Sequence, residues 1–267
     1  ALVDTVDICY FEVYLRKIKQ VIGERPINYL IINHMEPDHS GSIRLIKQHY
    51  PEIIIVGNKQ TFGMIEGFYG VTGEQYLVKE GDFLALGHHK LRFYMTPMVH
   101  WPETMMTFDE TDGVLFSGDG FGCFGTVDGG FLDTRINVDK YWGEMVRYYS
   151  NIVGKYGSPV QKALQKLGGL PISAICSTHG PVWTENIAKV IGIYDRLSRY
   201  DADEGVVIAY GSMYGNTEQM AEAIAEELSA QGVKNIVMHN VTKSHPSYII
   251  ADIFRYKGLI IGSPTYS

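Results

Sequence analysis

The ten residues NHMEPDHSGS, Asn33 to Ser42, place His34, Glu36, Asp38 and His39 close together in the chain. Imidazoles and carboxylates at such spacing are transition-metal donors. Three more such groups follow at wide intervals: His100 ending LRFYMTPMVH, Asp119 ending GVLFSGD and His179 ending ISAICSTH. One zinc-type ion takes three or four protein donors. Four imidazoles and three carboxylates therefore suffice for two metals, with one carboxylate shared. Glu36 bears on which metal. An anionic oxygen in place of an imidazole makes the site harder and more negative, which favours iron over zinc and supports oxidised forms during redox cycling. The alternative is a zinc pair, whose bound hydroxide would cleave a thioester, lactam or phosphodiester. The remaining histidines, His49, His88, His89, His239 and His245, have no such company and read as solvated or capping residues.

A second chemical signal lies in GSMYGNT, Gly211 to Thr217, between a strand pattern and a helix pattern. Backbone N–H groups at a helix start attract an anion. Ser212 and Thr217 add hydroxyls, Gly215 permits a positive φ, and Met213, Tyr214 and Asn216 complete the loop. It lacks the Gly-Lys-Ser/Thr ending of a triphosphate loop and the Gly-x-Gly-x-x-Gly of a dinucleotide loop. With no lysine, it suits a single phosphate monoester held by hydrogen bonds.

The elements that position these residues are short apolar runs, each ending in a polar loop. INYLIINH, EIIIVGN, LRFYMTPMVH, GVLFSGD and ISAICSTH read as strands. Rigid strands aim the side chains of their loops at a common point. Helical spacing appears in GSIRLIKQHY, with Ile43, Ile46 and Tyr50 on one face, in KYWGEMVRYYSNIVGKY and in ENIAKVIGIYDRL. The acidic stretch SRYDADEG, Ser198 to Gly205, reads as a linker. Beyond it VVIAYGS, NIVMHNV and YKGLIIG are strands of a β-α-β-α-β unit. Its first helix carries Met220, Ile224 and Leu228 on one face and stops at Gly232.

At 267 residues, 45% hydrophobic and 20% charged, the chain has material for two globular domains. A net charge of −7 argues against a nucleic-acid partner. No apolar run reaches the roughly 18 residues of a membrane span. Cys9, Cys123 and Cys176 form no CxxC pair and read as buried filler in a cytoplasmic protein. The first residue is Ala1 and the last residues are a strand and SPTYS, so the chain is expected to be part of a longer polypeptide, with the second half of its last domain outside it.

His-x-Glu-x-Asp-His resembles the His-x-His-x-Asp-His motif of the metallo-β-lactamase superfamily, and the later His, Asp and His occur in that superfamily's order. GSMYGNT resembles the phosphate loop of flavodoxins. Together with HWPETM, LFSGDGFG, STHGPVW and SPTY, these segments resemble the flavodiiron protein family across almost the whole chain. The resemblance implies an α/β architecture: a metallo-β-lactamase-like αββα sandwich over residues 1–202, then a truncated flavodoxin-like doubly wound parallel sheet over 203–267. It implies reduction of O₂ to water, of NO to N₂O, or both, at a di-iron site supplied with electrons by FMN. His34, Glu36 and His100 would hold one iron, Asp38, His39 and His179 the other, and Asp119 would bridge. Ser212 to Thr217 would take the FMN phosphate. Ser263, Pro264, Thr265 and Tyr266 would flank the flavin ring, Tyr266 as a stacking candidate. A tyrosine near the open side of the irons would be Tyr148 or Tyr149. A rubredoxin or a reductase would donate electrons, and the family's head-to-tail dimer, alone or paired into a dimer of dimers, would bring the flavin of one subunit to the irons of the other.

Overall fold

A computed structural model describes residues 1–265. The first sheet is parallel, in the order β1 (Leu2–Val3), β2 (Tyr29–Ile31), β3 (Ile54–Gly57) and β4 (Gln75–Leu77). Its crossovers are α1 (Phe11–Ile22), the one-turn α2 (Pro37–Ser40) with α3 (Ile43–His49), and α4 (Lys59–Tyr69). The second sheet is formed by β5 (Phe83–Leu86), β6 (His89–Met95), β7 (Met105–Asp109), β8 (Val114–Gly118), β9 (Ala174–Ser177) and β10 (Val182–Trp183), lying in the order β10-β9-β8-β7-β6-β5. Neighbours are antiparallel except β8 and β9. Between those two strands run α5 (Asp139–Tyr148), a π-helical turn over Tyr149–Val153, and α6 (Gly157–Leu167); α7 (Ile187–Ser198) follows β10.

Alternation along the strands builds four layers. Leu30, Ile32 and Ile55 pack beneath α1, α3 and α4 with Leu15, Ile43, Ile46 and Ile65. Their neighbours Ile31 and Val56 face the other way, meeting Leu91, Phe93 and Met105 between the sheets. On β7, Met105 joins that inner core while Met106 joins the outer one, with Leu115, Ile175, Trp183, Met145, Val160 and Tyr194. This is the αββα sandwich expected.

The third sheet, in the order β12-β11-β13, is parallel: β11 (Asp203–Tyr210), β12 (Ile236–Asn240) and β13 (Tyr256–Gly262), joined through α8 (Asn216–Ala230) and α9 (Pro246–Arg255). Arg147 of α5 reaches it. Its guanidinium lies 4.5 Å from the rings of both Phe124 and Tyr248, and it donates to Ser247 Oγ at 2.9 Å. Asn151 Nδ2 donates to the Ser247 carbonyl at 3.0 Å.

Some expectations shift. The helix pattern of KYWGEMVRYYSNIVGKY does not continue as one α-helix: it widens into the π turn, and Gly154, at φ 41, ends it. The turn lets Tyr148, Tyr149 and Val153 all be buried. On α8, Met220 is 65% exposed and Ala221 is the buried residue. Cys123 is buried, but Cys9 is exposed within the 3₁₀ turn Ile8–Tyr10, so it is not filler. His239 bonds Asp252, His245 caps α9, and His49 stacks near Phe11.

Asp133 ties together two loops needed below. It lies in the connection that leaves β8 and is buried. It accepts five hydrogen bonds, from the N–H and hydroxyl of Thr184, the N–H of Glu185, and the N–H and side-chain amide of Asn186. Burial pushes its carboxyl up, but the bonds from Thr184 and Asn186 outweigh that and hold it below its ordinary range. Asp133→Ala is expected to lose about 2–4 kcal/mol of stability at neutral pH. Because the folded value is depressed, the contribution is present above roughly pH 4 and fades as pH falls through the folded value. Urea unfolding of the two proteins at pH 7 and at pH 3 checks this: equal midpoints at pH 7 would contradict it.

Candidate metal centre

The four ligand-bearing loops leave the C-terminal ends of β2, β6, β8 and β9. Asn33 joins the two sheets at this edge. Its carbonyl accepts the Met105 N–H, its amide donates to the Phe116 carbonyl at 3.1 Å, and its Oδ1 accepts from Thr107 at 2.7 Å. After it the chain is extended, so His34 and Glu36 point one way. Pro37 then opens α2 with Glu36 as N-cap, and the turn sends Asp38 and His39 to a second position.

The seven sequence candidates all meet here, in two groups. In one, His34 Nε2 and His100 Nε2 lie 3.4 and 3.1 Å from Glu36 Oε2 and 3.4 and 2.9 Å from Asp119 Oδ2. In the other, His39 Nε2 and His179 Nε2 lie 3.3 and 3.2 Å from Asp38 Oδ2 and 2.9 and 3.2 Å from Asp119 Oδ1. Asp119 thus gives one oxygen to each group. Donors sharing one ion at about 2.1 Å stand roughly 3.0–3.4 Å apart, which is this spacing. Two buried atoms, His39 Nε2 and Asp38 Oδ1, have no hydrogen bond of good geometry. His39 Nε2, which faces Asp38 Oδ2 and Asp119 Oδ1, fits a metal between them.

The electrostatics agree. Burial opposes charge on His39, His100 and His179, yet Asp119 with Asp38 or Glu36 outweighs it and carries them up to about 11, 9 and 9. Burial likewise pushes Asp119 up, and His100, His179 and His39 together pull it far below the carboxylate range. Glu36 is lowered to about 2 by His100 and then His34. A field that holds protons on imidazoles this firmly also attracts divalent cations, which compete for the same nitrogens.

Two neighbours of the ligand loop were not foreseen from the sequence. Asp4, buried at the end of β1, accepts the N–H groups of Asn33 and His34 through Oδ1; burial pushes its carboxyl up to about 6. Glu103 accepts the Met35 N–H and meets His34 Nδ1. Glu103 stands inside HWPETM, the segment quoted for His100, so its neighbourhood was visible but its target was not.

Of the two tyrosines, Tyr148 faces the centre, its buried ring 5.6 Å from that of His179 and 5.0 Å from Phe124. Burial, then Asp119, drives its hydroxyl well above the usual range, so it stays protonated. A Cβ on Gly122 would stand 2.9 Å from that ring, so only glycine admits it. Tyr149 turns away, to Tyr194 and Phe254.

In the third sheet, Gly211–Gly215 connects β11 to α8, with Gly215 at φ 87 as the N-cap and Asn216 and Thr217 opening the helix. Ser212 Oγ accepts the N–H groups of Gly215 and Glu218. Gly211 N–H donates to the Gly262 carbonyl, which brings Ser263, Pro264 and Thr265 alongside. Met213, Tyr214, Asn216 and Thr217 line one cavity of about 610 Å³ with those three residues. Tyr266 lies outside the described residues.

Comparison with known proteins gives the same two parts. The model of the ODP family beta lactamase matches residues 1–180 and that of flavodoxin residues 208–267. The anaerobic nitric oxide reductase flavorubredoxin of Vibrio vulnificus is 32% identical across 99% of the chain and 54% of its own length. Its Escherichia coli counterpart is 31% identical across 99% and 56%. The chain therefore spans about half the length of these relatives. Among solved structures, rubredoxin:oxygen oxidoreductase of Desulfovibrio gigas superposes with a TM-score of 0.95 at 30% identity, covering 99% of this chain and 67% of that one. The flavodiiron protein of Giardia intestinalis also gives 0.95, at 26% identity over 99% and 65%. Two adjoining matches in this order, on a chain that follows both known structures over nearly its whole length, mean that it belongs to the flavodiiron protein family.

Proposed function

We propose that the chain is the part of a flavodiiron oxidoreductase that reduces O₂ to water, NO to N₂O, or both. The observation that supports this most is the donor set. Each half of the centre combines two imidazoles with two carboxylate oxygens, one of them from the shared Asp119. Such mixed nitrogen and oxygen sets with room for further ligands suit non-haem iron. A zinc hydrolase has no use for a flavin loop, and Glu36 would weaken its preference for imidazole.

In this reading His34, Glu36 and His100 hold one iron, Asp38, His39 and His179 the other, and Asp119 keeps the two together. When bound, the iron pair and FMN would supply the electron transfer and the open coordination positions for the gas. The chain's own groups do the rest. Ser212 to Thr217 hold the FMN phosphate through N–H groups and hydroxyls, and Ser263, Pro264 and Thr265 flank the ring. The Tyr148 hydroxyl, kept protonated by its surroundings, offers a proton beside His179. The Phe124 and Tyr148 rings keep water from that side. A rubredoxin-type donor and a head-to-tail dimer in the cytoplasm fit the same reading.

The full-length protein is expected to bind about two irons and one FMN per chain and to consume O₂ or NO once reduced. Two zincs with no gas consumption would return it to the hydrolases. Asp119→Asn is expected to lose most of its metal and all gas consumption while its flavin is still reduced, since one carboxylate serves both halves. Retention of two irons by this variant would show that Asp119 does not bridge. Tyr148→Phe is expected to keep its iron and slow turnover about a hundredfold, the low end of proton-transfer contributions. Tyr149→Phe should leave turnover alone, and a reversed pattern would mean that the roles were misassigned.

A further inference from the structure

The two halves of the centre match in their donors but not in what stands behind them. All four imidazoles present Nε2 to Glu36, Asp38 or Asp119. Among the described residues, His34 is the one of the four whose Nδ1 also meets a carboxylate: Glu103 Oε1, at 2.8 Å. That same oxygen accepts the Met35 N–H at 2.9 Å. Glu103 is fully buried, and its Oε2 has no hydrogen-bond partner. Its one ion-pair partner among the described residues is His34. Asn58, the N-cap of α4, fixes its backbone by donating to its carbonyl at 2.6 Å. Trp101 closes over His34 edge-on, with ring centroids 5.2 Å apart.

A carboxylate this deep, with one oxygen unsatisfied, is costly unless a nearby positive charge offsets it. No Lys or Arg among the described residues is paired with it. The positive charge on offer is the metal that His34 faces with its other nitrogen. An imidazole that donates from Nδ1 to a carboxylate is fixed in orientation, presents a bare Nε2 and becomes a more basic ligand.

We propose that Glu103 is a positioning residue that locks His34 with Nε2 on the metal and, through its charge, makes the metal at His34 the harder of the two to reduce. This rests on the proposed two-metal site, and the test separates the two. In Glu103→Gln the amide oxygen still accepts from His34 and Met35, so geometry survives and charge is lost. In Glu103→Ala both are lost.

Co²⁺ would be titrated into the demetallated full-length wild type and both variants against a competing chelator. The iron-loaded proteins would then be reduced stepwise and followed by EPR. For Glu103→Ala, one of two Co²⁺ sites is expected to weaken about 10–100-fold while the other is unchanged. For Glu103→Gln, both Co²⁺ sites persist within a few-fold, and one iron couple moves to higher potential. Wild-type Co²⁺ affinities in Glu103→Ala, or unmoved or equally moved couples in Glu103→Gln, would overturn the proposal. If Glu103→Ala fails to fold by circular dichroism, the Glu103→Gln couples decide alone. A wild type that takes only zinc removes the di-iron reading, and the Co²⁺ titration still tests the hold on His34.

Discussion

Three carboxylates and four imidazoles crowd within hydrogen-bonding range of one another, and Asp119 touches both halves of the crowd. Gathering that many anionic oxygens at a partly buried edge is unfavourable unless cations sit among them. The rest of the first two sheets can be understood as the framework for that arrangement. Asn33 joins one sheet to the other at the point where the ligands emerge. Asp133 fastens the loop after β8 to the segment that follows His179. Asp4 and Glu103 fix the backbone of the ligand loop from opposite sides. The inner core of Ile31, Val56, Phe93 and Met105 sets the spacing of the sheets from which the four loops depart.

Which ligand-type residues gather at one edge was legible because the signal is local. His34, Glu36, Asp38 and His39 lie close in sequence, and each later ligand ends an apolar run. The layered fold was legible for a similar reason, since strands with alternating burial leave a pattern over a few residues. What supports the ligands was not legible. Asp4 lies 29 residues before Asn33 and Glu103 lies 68 residues after Met35. A carboxylate that accepts a distant N–H has no spacing rule to betray it. The π turn escaped for another reason: the apolar residues of KYWGEMVRYYSNIVGKY fit an unbroken helix about as well. Only packing, of Tyr148 against Phe124 and His179 and of Tyr149 against Tyr194 and Phe254, shows why both are inside. α1, α4 and α6 carry ordinary amphipathic spacing but no chemistry, and so drew no attention in the sequence.

The third sheet tells a complementary story. Its turn from strand to helix was readable from glycine and hydroxyl placement, because a turn at a helix start needs only a few residue types in order. Its helix face was misread at Met220. Ala221 is the buried residue of α8, and Ile224 and Leu228 pack beside it as the spacing expected. Periodicity finds the apolar stripe of a helix but does not say which edge of the stripe touches its neighbour.

Arg147 and Tyr148 are adjacent on α5 but serve different parts of the molecule, one gripping Ser247 and Tyr248 and the other roofing the metal centre. The joint between the first two sheets and the third is therefore made on a helix that also walls the candidate metal centre. For protein engineering this argues against treating the flavodoxin-like part as an interchangeable cartridge. A foreign module grafted at the acidic stretch after α7 would leave Arg147 without Ser247 and Tyr248, and Asn151 without the Ser247 carbonyl. The disturbance would then sit one residue from the ring that covers His179. A working chimaera would need to carry the Pro246–Arg255 helix across with the graft, or rebuild its contacts.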